Sequence, residues 1–179
     1  NCSSYLNADK GYEDADGFAA KLTVGQGNVF DGCIAAYNAD DGWDLFAKVQ
    51  SGSIGVVTIQ NCVAFKNGYI LDENGREINA GNGNGFKMGG DSMPGAHVLK
   101  NSVAFANKAK GIDSNSCPDI KVYSSTTFDN ESYNVAFYTN TAVNTAFVAD
   151  GILSYKVSNK VAEQFKLLGT QNAADVKGV

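Results

Sequence analysis

Four aspartates and one lysine are the residues whose types and spacing could do chemistry. Asp16 opens Asp16-Gly17-Phe18-Ala19, and the others fall in Asp40-Asp41-Gly42-Trp43-Asp44, so the four are 24, 1 and 3 residues apart. Lys87 closes a related unit, Asn84-Gly85-Phe86-Lys87. Carboxylates crowded together are costly unless a cation or protons neutralise them. No His or Cys shares the pattern, so the donor set suits Ca2+ rather than a transition metal. A lysine beside that cation would have its pKa lowered toward the neutral amine. Singly, each Asp-Gly is an ordinary turn sequence. Everything depends on whether the chain superimposes these units.

An internal repeat does so. Cys2-Ser3-Ser4-Tyr5-Leu6-Asn7, Cys33-Ile34-Ala35-Ala36-Tyr37-Asn38 and Cys62-Val63-Ala64-Phe65-Lys66-Asn67 are three copies. Ser102-Val103-Ala104-Phe105-Ala106-Asn107 and Ser125-Thr126-Thr127-Phe128-Asp129-Asn130 are two more, and the asparagines are spaced by 31, 29, 40 and 23 residues. Short β-branched and aromatic runs between Gly, Asn and Asp turns read as strands, and the variable spacing suits a solenoid with loops on selected turns. The expected fold is all-β, a right-handed parallel β-helix with three short strands per turn. Asn7, Asn38, Asn67, Asn107 and Asn130 form its asparagine ladder, each amide tolerating left-handed backbone and bonding its neighbour. Cys2, Cys33 and Cys62 share one repeat position and read as stacked reduced thiols; Cys117 stands apart.

A Gly-centred unit follows each asparagine. Its apolar residues Phe18, Trp43, Phe86, Ile112 and Val135 should face the core, so Ala19, Asp44, Lys87, Asp113 and Ala136 should face outward. Turn positions run Asp16, Asp41, Asn84, Lys110, Tyr133, with neighbouring turns about 4.8 Å apart. Asp16 then stacks on Asp41, with Asp40 beside it and Asp44 one strand step away, in one exposed patch. Lys87 follows one turn beyond Asp44. Spacing alone leaves two readings for it, a catalytic amine or a surface salt bridge with Asp44 and Asp113. Six and fourteen extra residues, within 8–15 and 68–83, flank the middle turn on one side, as loops over a binding face do. Arg76, in the second, is a candidate clamp for a substrate carboxylate.

Composition narrows the partners. A net charge of −5 over 179 residues argues against nucleic acid or an anionic membrane, and no apolar run of membrane-spanning length occurs. One domain over 1–179 is expected, with regular turns over 1–155 and an irregular loop or short helix within 156–179, helical over 160–168. Asn1 falls inside the strand pattern, so a fragment of a longer chain is expected. A cation on a substrate carboxylate, with a neutral lysine as base, would drive β-elimination from a uronic acid.

At these residues the sequence resembles pectate lyases of polysaccharide lyase family 9. The likeness runs over roughly 1–155, through Asp16-Gly17-Phe18-Ala19, Gly27-Asn28-Val29-Phe30, Asn38-Ala39-Asp40-Asp41-Gly42-Trp43-Asp44-Leu45 and Gly83-Asn84-Gly85-Phe86-Lys87-Met88-Gly89-Gly90. The resemblance implies a parallel β-helix, Ca2+ on Asp16, Asp40, Asp41 and Asp44, and Lys87 as the base removing the C5 proton of galacturonate. It implies an acidic pectic polysaccharide as substrate and a secreted monomer, extracellular, periplasmic or at the cell surface. A rhamnogalacturonan lyase is the near alternative. A β-helix hydrolase using Asp16, Asp40 and Asp41 is less favoured, since neither a His-Gly pair nor an Arg-x-Lys motif is present. A non-catalytic, Ca2+-binding carbohydrate solenoid is the third reading.

Overall fold

The computed structural model describes residues 1–155 and, beyond them, the strands Glu163–Leu167 and Val176–Lys177. Its chain coils through three parallel sheets. The first contains β1 (Ser3–Tyr5), β4 (Ile34–Ala36), β7 (Val63–Phe65), β12 (Val103–Phe105), β15 (Thr126–Phe128) and β18 (Leu153–Tyr155). The second contains β2 (Phe18–Ala19), β5 (Trp43–Asp44), β10 (Phe86–Lys87), β13 (Lys110–Asp113), β16 (Tyr133–Phe137) and β19 (Glu163–Leu167). The third contains β3 (Asn28–Asp31), β6 (Val57–Gln60), β11 (Val98–Lys100), β14 (Lys121–Tyr123), β17 (Val148–Asp150) and β20 (Val176–Lys177). Among the described strands, β8 (Tyr69–Leu71) and β9 (Glu77–Asn79) depart from this, as an antiparallel hairpin within the 68–83 insertion. Among the described residues no helix is long and apolar enough to cross a membrane.

The core follows from alternation along very short strands. Phe18, Trp43, Phe86, Ile112 and Val135 pair in register through the second sheet. Inside, the Phe18–Trp43 and Trp43–Phe86 ring centroids lie 4.8 and 4.9 Å apart. On the outside of the first sheet Phe65, Phe105, Phe128 and Tyr155 form a second stack, with centroid separations of 5.0, 5.0 and 4.9 Å. All four cysteines are free thiols. The Cys33 N–H donates to Cys62 Sγ, the Cys62 N–H to Ser102 Oγ and the Ser102 N–H to Ser125 Oγ, so the thiol column continues as hydroxyls.

The asparagine ladder is present, with one change in how it works. Side-chain amides link Asn7 to Asn38, Asn38 to Asn67, Asn67 to Asn107 and Asn107 to Asn130 at 2.7–2.9 Å. The left-handed backbone falls not on the asparagines but one residue earlier, on Leu6, Tyr37, Lys66, Ala106 and Asp129, with φ between 51° and 59°. That corner swings each asparagine inward, and the amide bonds offset the steric cost of a left-handed side-chain-bearing residue. Asn134 adds a rung: it accepts from Asn130 Nδ2 at 3.0 Å and donates to the Tyr155 carbonyl at 3.0 Å.

The stretch 160–168, which the sequence suggests as a short helix, instead carries a strand over Glu163–Leu167. Within it β19 pairs in parallel with β16, and β20 likewise with β17, so two more strands extend the sheets. Phe165-Lys166-Leu167 has the two-residue alternation of a strand, and β16 would otherwise present an unpaired edge. Residues 160–162 and 168 lie outside the described residues.

His97 is buried away from the lysine and aspartates, and its Nδ1 accepts the Val57 N–H at 3.1 Å. Burial pulls its pKa from 6.5 to about 4, against the opposing pull of Asp119. The folded chain therefore resists a proton that the unfolded chain takes up below pH 6.5. Stability from this residue is complete above that pH and falls as pH drops toward 4, by about 3 kcal/mol in all. Urea melts should show the stability advantage of wild type over His97→Gln shrinking by that order between pH 7.5 and 4. A constant gap would mean that His97 titrates alike in both states.

Candidate active site

The Asp-Gly units arise from packing at a corner of the coil. A Cβ on Gly42 would lie 2.5 Å from the Gly85 carbonyl oxygen and 2.8 Å from Asn67 Nδ2, so only glycine fits beside the ladder. The residue before that glycine is under no such demand. It is Asp16, Asp41, Asn84, Lys110 and, before Asn134, Tyr133 in successive turns. Turn formation thus accounts for the glycines and leaves the aspartates unexplained.

Strand register then assembles the group. Asp44 on β5 pairs directly with Ala19 on β2 and Lys87 on β10, as the outward column requires. One oxygen each from Asp16, Asp40 and Asp41 lies within 4.8 Å of the others. Lys87 Nζ stands 3.0 Å from Asp41 Oδ2 and 3.4 Å from Asp44 Oδ2. Asp113 does not join the group. It is buried, accepts Lys110 Nζ at 2.8 Å and the Asn115 N–H at 2.9 Å, and also engages Tyr138 of the following turn.

The expected exposed patch is instead buried: Asp40, Asp41 and Asp44 are at most 2% exposed. The two insertions cause this by converging. Gly81 of the longer one packs its backbone against the Tyr12 carbonyl of the shorter one and beside Asp40 Oδ1, and a Cβ there would collide. Backbone and side-chain donors then hold one edge of each carboxylate. Asp41 Oδ1 accepts the Asn84 N–H at 2.7 Å and Asn84 Nδ2 at 2.8 Å; Asp40 Oδ1 accepts the Asn82 N–H at 2.8 Å. Asp16 Oδ1 accepts the Asp41 N–H at 3.2 Å, and Asp44 Oδ1 the Phe46 N–H at 2.9 Å.

Charge here is under-compensated. Burial, and then Asp44, push Asp16 up to about 6. Burial, and then Asp41, push Asp40 up to about 7. Asp41 is raised too, chiefly by burial. Asp41 Oδ2, although fully buried and close to Lys87, accepts no well-aligned hydrogen bond. Hard oxygen donors, one of them ion-paired but without an aligned hydrogen bond, fit a divalent cation such as Ca2+. Burial acts to lower the pKa of Lys87, but Asp41, Asp44 and Asp40 outweigh it and hold the ammonium above the usual lysine range.

Beside the aspartates lies an open cleft of about 300 Å³, lined by Lys21, Asp44, Phe46, Lys48 and Lys87, with Glu13 and Asp14 from the first insertion. Sequence reasoning missed Lys21, whose Nζ bridges Asp16 Oδ2 and Asp44 Oδ2 at 3.0 Å each. The signal was present two residues past each outward strand residue. The Leu22 N–H donates to the Phe46 carbonyl, which sets Lys21 beside Phe46 as Ala19 is set beside Asp44. Arg76 is not in the cleft. It lies beyond the turn of the β8–β9 hairpin, where its N–H donates to Asp72 Oδ1. That hairpin leans the other way, with Glu77 accepting from Tyr37 Oη and Lys66 Nζ.

Comparison with known proteins agrees with this architecture. Residues 1–159 match the family model described as the Pel9A-like, right-handed β-helix region. A pectate lyase L of Paenibacillus polymyxa is 54% identical over 139 residues, covering 76% of this chain and 30% of that protein. The crystal structure of pectate lyase Pel9A superimposes with a TM-score of 0.71 at 32% identity, covering 97% of this chain and 44% of that one. A rhamnogalacturonan lyase structure gives 0.75 at 27% identity, covering 99% and 46%. The chain thus spans less than half the length of each of these relatives. Three parallel sheets, an asparagine ladder and a family match over nearly all the described coil lead to one assignment: the chain belongs to the Pel9A-like right-handed β-helix family of pectate lyases.

Proposed function

We propose that this chain carries the catalytic centre of a secreted lyase that cleaves polygalacturonate by β-elimination, with Lys87 as base and Asp16, Asp40, Asp41 and Asp44 as Ca2+ ligands. The observation that carries the reading is the single row in which Lys87 Nζ lies 3.0 Å from Asp41 Oδ2, beside carboxylate oxygens within 4.8 Å of one another. Bound Ca2+ would supply positive charge that offsets the carboxylates and draws electrons from a substrate carboxylate. Lys87 is held charged here by the very aspartates proposed as ligands, so its readiness to shed a proton depends on how their charge is balanced. As a neutral amine it removes the proton from C5 of galacturonate. The released electron pair forms the C4–C5 double bond, the bond from C4 to the glycosidic oxygen breaks, and water protonates the departing oxygen. Phe46, with its ring centroid 5.9 Å from Lys87 Nζ, walls one side of that amine. Action on galacturonate within rhamnogalacturonan is the second reading, supported by likeness to a rhamnogalacturonan lyase.

The test is ultraviolet absorbance of polygalacturonate digests, because elimination leaves a conjugated sugar and hydrolysis does not. Absorbance should rise with Ca2+, stop on chelation and resume when Ca2+ is restored. No unsaturated product in Ca2+, from either polymer, would leave the non-catalytic solenoid as the better account.

A further inference from the structure

We propose that Phe46 and Lys48 form a subsite for the sugar next to the one being cleaved, and that this subsite selects an acidic neighbour over a neutral one. The proposal rests on the lyase reading and extends it to the choice between polygalacturonate and rhamnogalacturonan.

Three lysines line the cleft, and their pairing differs. Lys21 is bound to Asp16 and Asp44, and Lys87 to Asp41 and Asp44. Lys48 lines the same cleft, yet among the described residues no carboxylate lies within ion-pair distance of it. Its backbone is nevertheless fixed: its carbonyl accepts the Ser51 and Gly52 N–H groups at 3.1 and 2.9 Å and Ser51 Oγ at 3.2 Å. A half-buried cation on a fixed turn, with no internal partner, is placed to meet an anion from outside. The same cleft carries Glu13 and Asp14, so in a chain of net charge −5 a cation without a carboxylate partner offsets part of the repulsion that an acidic polymer would meet there.

Phe46 supplies the other half. It stands two residues before Lys48, on the same side of the coil. Its N–H is tied to Asp44 Oδ1 at 2.9 Å, and its ring rests where any Cβ on Gly90 would collide with it. The ring is therefore held half-exposed beside Lys87, as a flat apolar surface for the C–H face of a pyranose. Phe46 would hold a sugar of either kind, and Lys48 would read its carboxylate. Polygalacturonate offers a carboxylate on every unit, whereas rhamnogalacturonan alternates acidic and neutral units and places a neutral sugar next to each galacturonate.

Calorimetry in Ca2+, in a Lys87→Met background that prevents turnover, tests this with tetragalacturonate and a rhamnogalacturonan tetrasaccharide. Lys48→Gln should weaken tetragalacturonate about tenfold and the mixed tetrasaccharide less than about twofold, with Lys48→Arg near the parent. Phe46→Leu should weaken both to a similar degree. With Lys87 intact, Lys48→Gln should raise KM on polygalacturonate about tenfold and leave kcat unchanged. Equal losses for both tetrasaccharides, or none for either, overturn the subsite. A parent that binds and discriminates while wild type makes no unsaturated product would sink the lyase reading alone.

Discussion

Lys87→Ala, saturated with Ca2+, should form unsaturated product about a thousandfold more slowly than wild type, with KM little changed. The magnitude is that of losing a positioned general base. Alanine alone does not isolate the role, since it also removes the partner of Asp41 Oδ2 and Asp44 Oδ2. Lys87→Arg separates the two contributions. A guanidinium keeps a positive charge beside Asp41 and Asp44 but does not lose its proton in the accessible pH range. Arginine should therefore preserve the melting temperature and still leave the enzyme inactive. Substantial turnover by Lys87→Arg would mean that the side chain serves as a fixed charge, and that another group takes the C5 proton.

The largest effect on stability should come from the ladder. Asn67→Ala is expected to cost about 4 kcal/mol or more in urea unfolding, against about 1 kcal/mol or less for Asn7→Ala. Asn67 is fully buried, and its side chain makes four hydrogen bonds to three residues. It donates to Asn107 Oδ1 at 2.9 Å and the Ala35 carbonyl at 3.2 Å, and accepts Asn38 Nδ2 at 2.9 Å and the Asn38 N–H at 3.3 Å. Truncation would strand these groups where water does not reach. Asn7 makes the same type of bond to Asn38 Oδ1, but as an exposed residue, and water can replace it. Equal losses at the two positions would show that the ladder contributes through turn geometry rather than through buried hydrogen bonding.

Much of this molecule was legible because two of its requirements are chemically narrow. A buried amide must repeat at each turn to satisfy its neighbours, and a glycine must follow wherever the backbone passes against that amide. Those two residues set the register, and register alone brings Asp44 beside Lys87. What lacked periodicity was not legible. No regularity in residues 8–15 and 68–83 announces that they close over Asp40, so the aspartates were expected in water and are instead buried. The direction of the β8–β9 hairpin, and with it the position of Arg76, depends on Glu77 meeting Tyr37 and Lys66, contacts 40 and 11 residues apart. Lys21 and Phe46 were within reach, since the alternation that identified Asp44 continues two residues further. The left-handed corners fell one residue before the asparagines because the amide has to point inward to reach its neighbour, a geometric constraint with no compositional mark at Leu6, Tyr37, Lys66, Ala106 or Asp129.

The β8–β9 excursion leaves the coil and returns to it at almost the same point. The Ala80 N–H donates to the Gly68 carbonyl at 2.8 Å, and a Cβ on Gly83 would fall 2.7 Å from Gly68 Cα. A segment whose two ends already touch can grow or shrink with little strain on what lies on either side, because closing a longer loop adds entropy cost only slowly. Homologous variation in this family should therefore accumulate at such pinched exits, where a lineage can exchange one outward flap for another while the winding beneath it stays unchanged.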